Sequence, residues 1–97
     1  MNDIEQTRFH AKIYGRVQGV GFRAFVMESG VRLGVTGWAR NRWDGSVEVV
    51  AESDRPTLDR LLTALHQGPR MANVTRIDVD WQPASGEFSS FYVRSTV

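Results

Sequence analysis

Cysteine is absent from the 97-residue sequence. That excludes disulfides, thiolate nucleophiles and Cys-based zinc sites, and it suits a reducing compartment. Lysine is nearly absent: Lys12 stands alone beside eleven arginines. Long apolar runs are missing, and none approaches the roughly 20 residues that a helix needs to cross a bilayer. The start, Met1-Asn2-Asp3-Ile4-Glu5-Gln6, is polar and acidic, the wrong chemistry for a secretory leader. The expected location is the cytoplasm, with no membrane partner. A net charge of +1 gives no broad field for nucleic acid. Repeats, low-complexity tracts and internal linkers are lacking, so the chain reads as one domain with room for one core and one shallow site.

What is present is enough to fold. Hydrophobic residues make up 41% and charged residues 24%, a globular balance. The arginines suit bidentate binding of phosphate or carboxylate. A GC-rich genome produces the same skew, so their number alone singles out no site.

Residues 1–7 read as a flexible N-terminal tail and 8–97 as the folded domain. Arg8 to Tyr14 alternates, with Phe9, Ala11 and Ile13 on one side, and predicts a strand. A glycine-rich loop follows. Phe22, Phe25, Val26, Ser29 and Leu33 then share one helical stripe, and Gly34 stands where a C-terminal cap belongs. Val35 to Trp43 is extended, and Asp44-Gly45 signals a hairpin. Ser46 to Glu52 alternates with Val47, Val49 and Ala51 inward. Ser53-Asp54-Arg55-Pro56 has the chemistry of a helix start, with Ser or Asp as cap. Leu58, Leu61, Leu62 and Leu65 mark the buried face of that helix, and Gly68-Pro69 stops it. Val74 to Trp81 alternates again, and Phe88 to Val93 offers a short last strand. The order predicts an α+β ferredoxin-like βαββαβ sandwich: two helices on one face of a mainly antiparallel, four- to five-stranded sheet. The other sheet face is then solvated or functional.

The loop between the first strand and the first helix carries the main chemical signal. Gly15, Gly19 and Gly21 fall within seven residues. Glycines let a loop turn successive N–H groups inward to form an anion-binding concavity. The same loop feeds a helix N-terminus, where free N–H groups and the helix dipole favour negative charge. Arg23, in the first helical turn, supplies a fork of donors to the same anion. The spacing is neither a P-loop, which needs Lys-Ser/Thr after the last Gly, nor a dinucleotide fingerprint. By spacing alone, a glycine-rich connection without a ligand fits as well.

Gly15-Arg16-Val17-Gln18-Gly19-Val20-Gly21-Phe22-Arg23 resembles the first signature of the acylphosphatase family. Gly37-Trp38-Ala39-Arg40-Asn41, followed after three residues by Gly45-Ser46-Val47, resembles its second. Gly68 to Val74 resembles the family's connection into its fourth strand. The resemblance runs from about residue 8 to 94. It implies hydrolysis of a small-molecule acyl phosphate to carboxylate and inorganic phosphate, the latter also an inhibitor, with no metal and no cofactor. It implies that Arg23 and the amides of Arg16, Val17, Gln18, Gly19, Val20, Gly21 and Phe22 bind the phosphoryl group, and that Asn41 positions the attacking water. A monomer is expected. Ser53 stands where the family usually has Gly; Ser is a competent helix cap, so a local change with intact chemistry is expected.

Other candidates carry less. Asn is depleted in strands, so Asn41 marks either a strand beginning to turn or a functional position. His10 and His66 lack metal-ligand spacing and read as an exposed strand residue and a helix-end residue. Asp78 and Asp80 alternate with apolar residues beside Arg76, as on a solvated face. Trp38, Trp43 and Trp81 read as packing, and Ser29 has no His to activate it. The competing class is a non-catalytic binding or regulatory module. RNA-recognition domains share the element order but carry aromatics on the central strands. The third strand here has Glu48 and Glu52 and no aromatic.

Overall fold

The computed structural model describes residues 5–97. Seven elements follow in the order β1 (Gln6–Arg16), α1 (Phe22–Leu33), β2 (Thr36–Asn41), β3 (Val47–Asp54), α2 (Arg55–Gln67), β4 (Asn73–Pro83) and β5 (Phe91–Val93). The five strands form one sheet in the order β4-β1-β3-β2-β5. Its first four strands pair antiparallel, while β5 runs parallel to β2, so the sheet is mixed. Both helices pack on one face, which is the expected ferredoxin-like sandwich.

Several expected boundaries move. Residues 1–4 of the expected tail lie outside the described residues. Gln6 and Thr7, also expected in the tail, pair with Asp54 and Ser53 and so belong to β1. The second strand stops at Asn41 because residues 42–46 already form the turn: Arg42 N–H donates to Ser46 O at 2.9 Å, and Gly45 N–H to Arg42 O at 3.1 Å. Ser53 does not cap α2. It is a buried strand residue, and Asp54 takes the capping role by accepting the Thr57 N–H at 2.8 Å. The carboxylate one residue nearer the helix reaches its free N–H groups, and Pro56 fixes the first turn.

The core lies between sheet and helices. Phe9, Ala11 and Ile13 from β1, Val47, Val49 and Ala51 from β3, and Leu58, Leu61 and Leu65 from α2 are all fully buried. Each large aliphatic side chain so buried contributes about 1.5–3 kcal/mol against exposure. Helix α1 adds Phe22, Val26 and Ser29, with Phe25 only half-buried. Gly30 completes its buried face: a Cβ there would meet the Phe91 ring at 2.8 Å, so glycine lets β5 dock against the helix.

The open sheet face is not simply solvated. Strand β3 is buried on both sides, and Glu48 is only 5% exposed. Its carboxylate accepts from Arg40 Nε at 2.7 Å and Arg42 Nη1 at 3.2 Å, and it meets Nε2 of His10. His10, expected to be an exposed strand residue, is half-buried and joins the cluster around Glu48. Burial pushes the Glu48 carboxyl up, but the hydrogen bonds from His10 and Arg40 and the charge of Arg40 outweigh it and hold the group at about 2. Glu52 likewise accepts from Arg8 and from the N–H groups of Ser85 and Gly86. Against the push of burial, these donors hold its carboxyl below the usual range. Trp38 lies under two guanidinium groups, Arg40 and Arg94, each 4.7 Å from the ring centroid. Trp81 packs edge-on against Phe9. Trp43 contradicts the packing expectation: it stands at the hairpin tip, 85% exposed.

Candidate active site at the first loop and helix start

The loop leaves β1 at Arg16 and enters α1 at Phe22. Gly19 and Gly21 hold φ of +73° and +77°, a region that side-chain-bearing residues avoid. Gly21 is also the N-cap of α1, and without a side chain it offers the helix no acceptor. No acidic residue stands in the first turn. Among the described residues, no protein acceptor takes the N–H of any residue from Val17 to Ala24. A helix ordinarily satisfies its first N–H groups with a cap. Here they are left free, beside the positive end of the helix dipole.

Six of these eight residues line a hollow of about 300 Å³. Its walls are Val17, Gly19, Gly21, Phe22, Arg23 and Ala24 from the loop and helix start, Asn41 from the end of β2, and Val93 from β5. The topology explains the meeting. Strands β2 and β5 pair in parallel, with Ala39 beside Val93. Positions 39 and 41 share the helix-facing side of β2, which turns Asn41 toward the start of α1. Arg23 is half-buried and forms no ion pair or side-chain hydrogen bond among the described residues. The side chain of Asn41 is likewise without a partner, while its backbone is held on both edges: it pairs with Val47, and its carbonyl accepts the Val97 N–H at 3.2 Å.

Of the expected site residues, Val17, Gly19, Gly21, Phe22, Arg23 and Asn41 come together in this hollow. Arg16, Gln18 and Val20 do not line it. Arg16 is exposed at the end of β1, paired with Asn73. Val20 packs against the core. Gln18 turns away and donates from Nε2 to the backbone carbonyls of Arg42 at 2.8 Å and Ser46 at 2.9 Å. Two lining residues are new. Ala24 is the third residue of the helix, and helix-start reasoning points to it once Gly21 is known as the cap. Val93 carries no sequence signal; only the parallel docking of β5 brings it there. Among the described residues, no group of three or more His, Cys, Asp or Glu side chains converges as a metal ion would require.

Fold and hollow together define a small α+β domain with an uncapped loop-to-helix junction opening into a hollow. The acylphosphatase family model matches residues 9–93. The acylphosphatase of Salinibacter ruber is 51% identical over 89 residues, covering 92% of this chain and 94% of that protein. The acylphosphatase of Thermococcus kodakarensis is 47% identical over 83 residues, covering 86% and 91%. The crystal structure of the Bacillus subtilis acylphosphatase superposes with a TM-score of 0.88 at 33% identity, covering 91% of this chain and 98% of that one. The chain belongs to the acylphosphatase family.

Proposed function

We propose that the chain hydrolyses the carboxyl–phosphate anhydride of small acyl phosphates, with Arg23 and the loop amides seating the phosphoryl group and Asn41 orienting the attacking water. One observation carries the assignment of roles: among the described residues, loop and helix-start residues with partnerless N–H groups line one hollow with a partnerless guanidinium and a partnerless amide side chain. An anhydride has a good leaving group, a carboxylate. Phosphoryl transfer from it depends mainly on charge stabilisation and alignment. Donors fixed before the substrate arrives supply the first, because they need no reorganisation as charge shifts onto the phosphoryl oxygens. An amide that accepts from water through its oxygen fixes the second. The P–O bond to the acyl group breaks as the water oxygen bonds to phosphorus. The leaving carboxylate needs no proton, and the proton of the water passes to a phosphoryl oxygen or to solvent. No metal enters this route, and inorganic phosphate, the product, competes for the seat. The enzyme is proposed to act as a monomer in the cytoplasm, in keeping with its lack of cysteine.

The test is release of phosphate from acetyl phosphate in excess EDTA, with inorganic phosphate as competitor and Asn41→Ala as comparison. Turnover should persist in EDTA. The variant should lose about a hundredfold in kcat while the inhibition constant for phosphate moves by less than about threefold. Loss of turnover on chelation would overturn the metal-free route. Equal loss of turnover and phosphate affinity in Asn41→Ala would overturn its role with water.

A further inference from the structure

Gln18 sits in the middle of the anion-receptive loop, yet its side chain leaves the hollow. Its Nε2 carries two hydrogens, and both are used: one bond goes to Arg42 O at 2.8 Å, the other to Ser46 O at 2.9 Å. Arg42 and Ser46 are the two ends of the β2–β3 turn, themselves joined by the bond from Arg42 N–H to Ser46 O. The amide therefore grips the base of the hairpin, one residue beyond Asn41. On the opposite edge the same strand end is held by main chain alone, through Val97 N–H to Asn41 O and Trp43 N–H to Val97 O at 3.1 Å. Among the described residues, the Gln18 bonds are the side-chain hydrogen bonds that run from the loop to the strand end bearing Asn41.

We propose that Gln18 is a positioning residue that fixes the distance between the phosphate seat and Asn41. This rests on the functional reading above. In-line displacement requires the water and the phosphoryl group to be aligned with one another. One of them is held by the loop and the other by β2, two segments far apart in sequence and tied by the two hydrogen bonds of this side chain. An error of about 1 Å in such an alignment costs up to about a hundredfold in rate. Gln is well suited to this role. It is neutral, so it leaves the field at the anion seat unchanged, and a single nitrogen supplies both donors.

The experiment is a double-mutant cycle of Gln18→Met and Asn41→Ala, assayed with acetyl phosphate and inhibited with inorganic phosphate. Met keeps the length and removes the donors. The single variant Gln18→Met should lower kcat about tenfold with phosphate inhibition changed by less than about twofold; in the Asn41→Ala background, it should cost less than about twofold more. Gln18→Leu, which is also neutral and lacks the donors, should give the same split. Three results would overturn the proposal. Phosphate affinity falling in step with kcat would show that Gln18 only shapes the seat. Independent, multiplying losses in the double variant would show that it does not act through Asn41. Failure of both Gln18 variants to fold, by circular dichroism, would make the tie a requirement of the fold. Failure of the functional reading itself looks different: the unmodified protein would release no phosphate.

Discussion

The two helices of this molecule begin in opposite ways. Helix α2 starts at Asp54, whose carboxylate closes on the Thr57 N–H, with proline in the first turn. Helix α1 starts at Gly21, which has nothing to close with, and has no acid nearby and an unpaired arginine at its second position. One start is finished by its own sequence. The other is left open, and on the proposed function it is finished by the phosphoryl group. The same division runs through the molecule. Glu48 and Glu52 on the open sheet face are buried and surrounded by donors, whereas Arg23 and Asn41 have no side-chain partner among the described residues. Completed groups hold the fold, and incomplete ones mark the proposed site.

The comparison breaks most sharply at Arg23. Arg23→Ala removes a guanidinium that no group among the described residues uses, so the folded state should lose little. It should lower kcat/KM about a thousandfold and weaken phosphate inhibition strongly, while Tm moves by no more than about 2 °C. Steady-state kinetics and a thermal melt read both halves. A large drop in Tm would place Arg23 among the completed groups and remove the distinction.

Glu48 is the opposite case. Its carboxyl is held at about 2 in the folded protein, below the ordinary value of 4.5. A depressed native value means stability that is full above about 4.5 and lost as pH falls through about 2. Urea unfolding between pH 7 and pH 2 should show this loss, and Glu48→Gln should flatten that part of the profile. At pH 7 the variant should cost on the order of 2–3 kcal/mol of stability, because it leaves Arg40 and Arg42 facing a neutral group. Its turnover at 25 °C should stay within about threefold of the unmodified protein.

The third variant exchanges the two helix starts. Ala24 is exposed in the first turn of α1 and lines the hollow. Ala24→Glu supplies the acid that this helix lacks, so its dipole gains a partner and Tm should hold or rise slightly. The same carboxylate competes with the substrate for the free N–H groups. The inhibition constant for phosphate should rise on the order of tenfold, a smaller effect than losing Arg23 because the fork of donors remains. Unchanged phosphate affinity would mean that the helix start is not part of the seat.

The sequence makes the architecture legible because its signals are local and agree. The alternation in Arg8–Tyr14, the Leu58–Leu65 stripe and the Gly68-Pro69 stop each correspond to an observed element. The loop and Arg23 are legible for the same reason: they are neighbours in sequence. What is hidden depends on docking between distant segments. Nothing near Val93 announces that β5 runs parallel to β2 and reaches the hollow. Gln18 reads as one more loop residue until the hairpin stands opposite it. His10 reads as exposed because its partner, Glu48, lies two strand elements later in the chain. Trp43 fails for another reason: composition suggests that tryptophan packs, but a hairpin tip has nothing above it to pack against.

The smallest effect is the cleanest control. Asp54 lies at the far end of the strands from Asn41, and its capping bond to Thr57 touches nothing that lines the hollow. Its carboxyl is held below the usual range by that donor. Asp54→Ala opens the start of α2 and so makes it resemble the start of α1, but with no glycine loop or Asn41 converging on it. Losing one cap in a domain this size should lower Tm by about 4 °C, leaving kcat and phosphate inhibition unchanged. That outcome would show that an uncapped helix start is insufficient by itself for catalysis, and that what distinguishes α1 is the set of partnerless donors around it. If Asp54→Ala altered phosphate inhibition, the two helix starts would be coupled, and the separation between completed and incomplete groups would fail at its most distant pair.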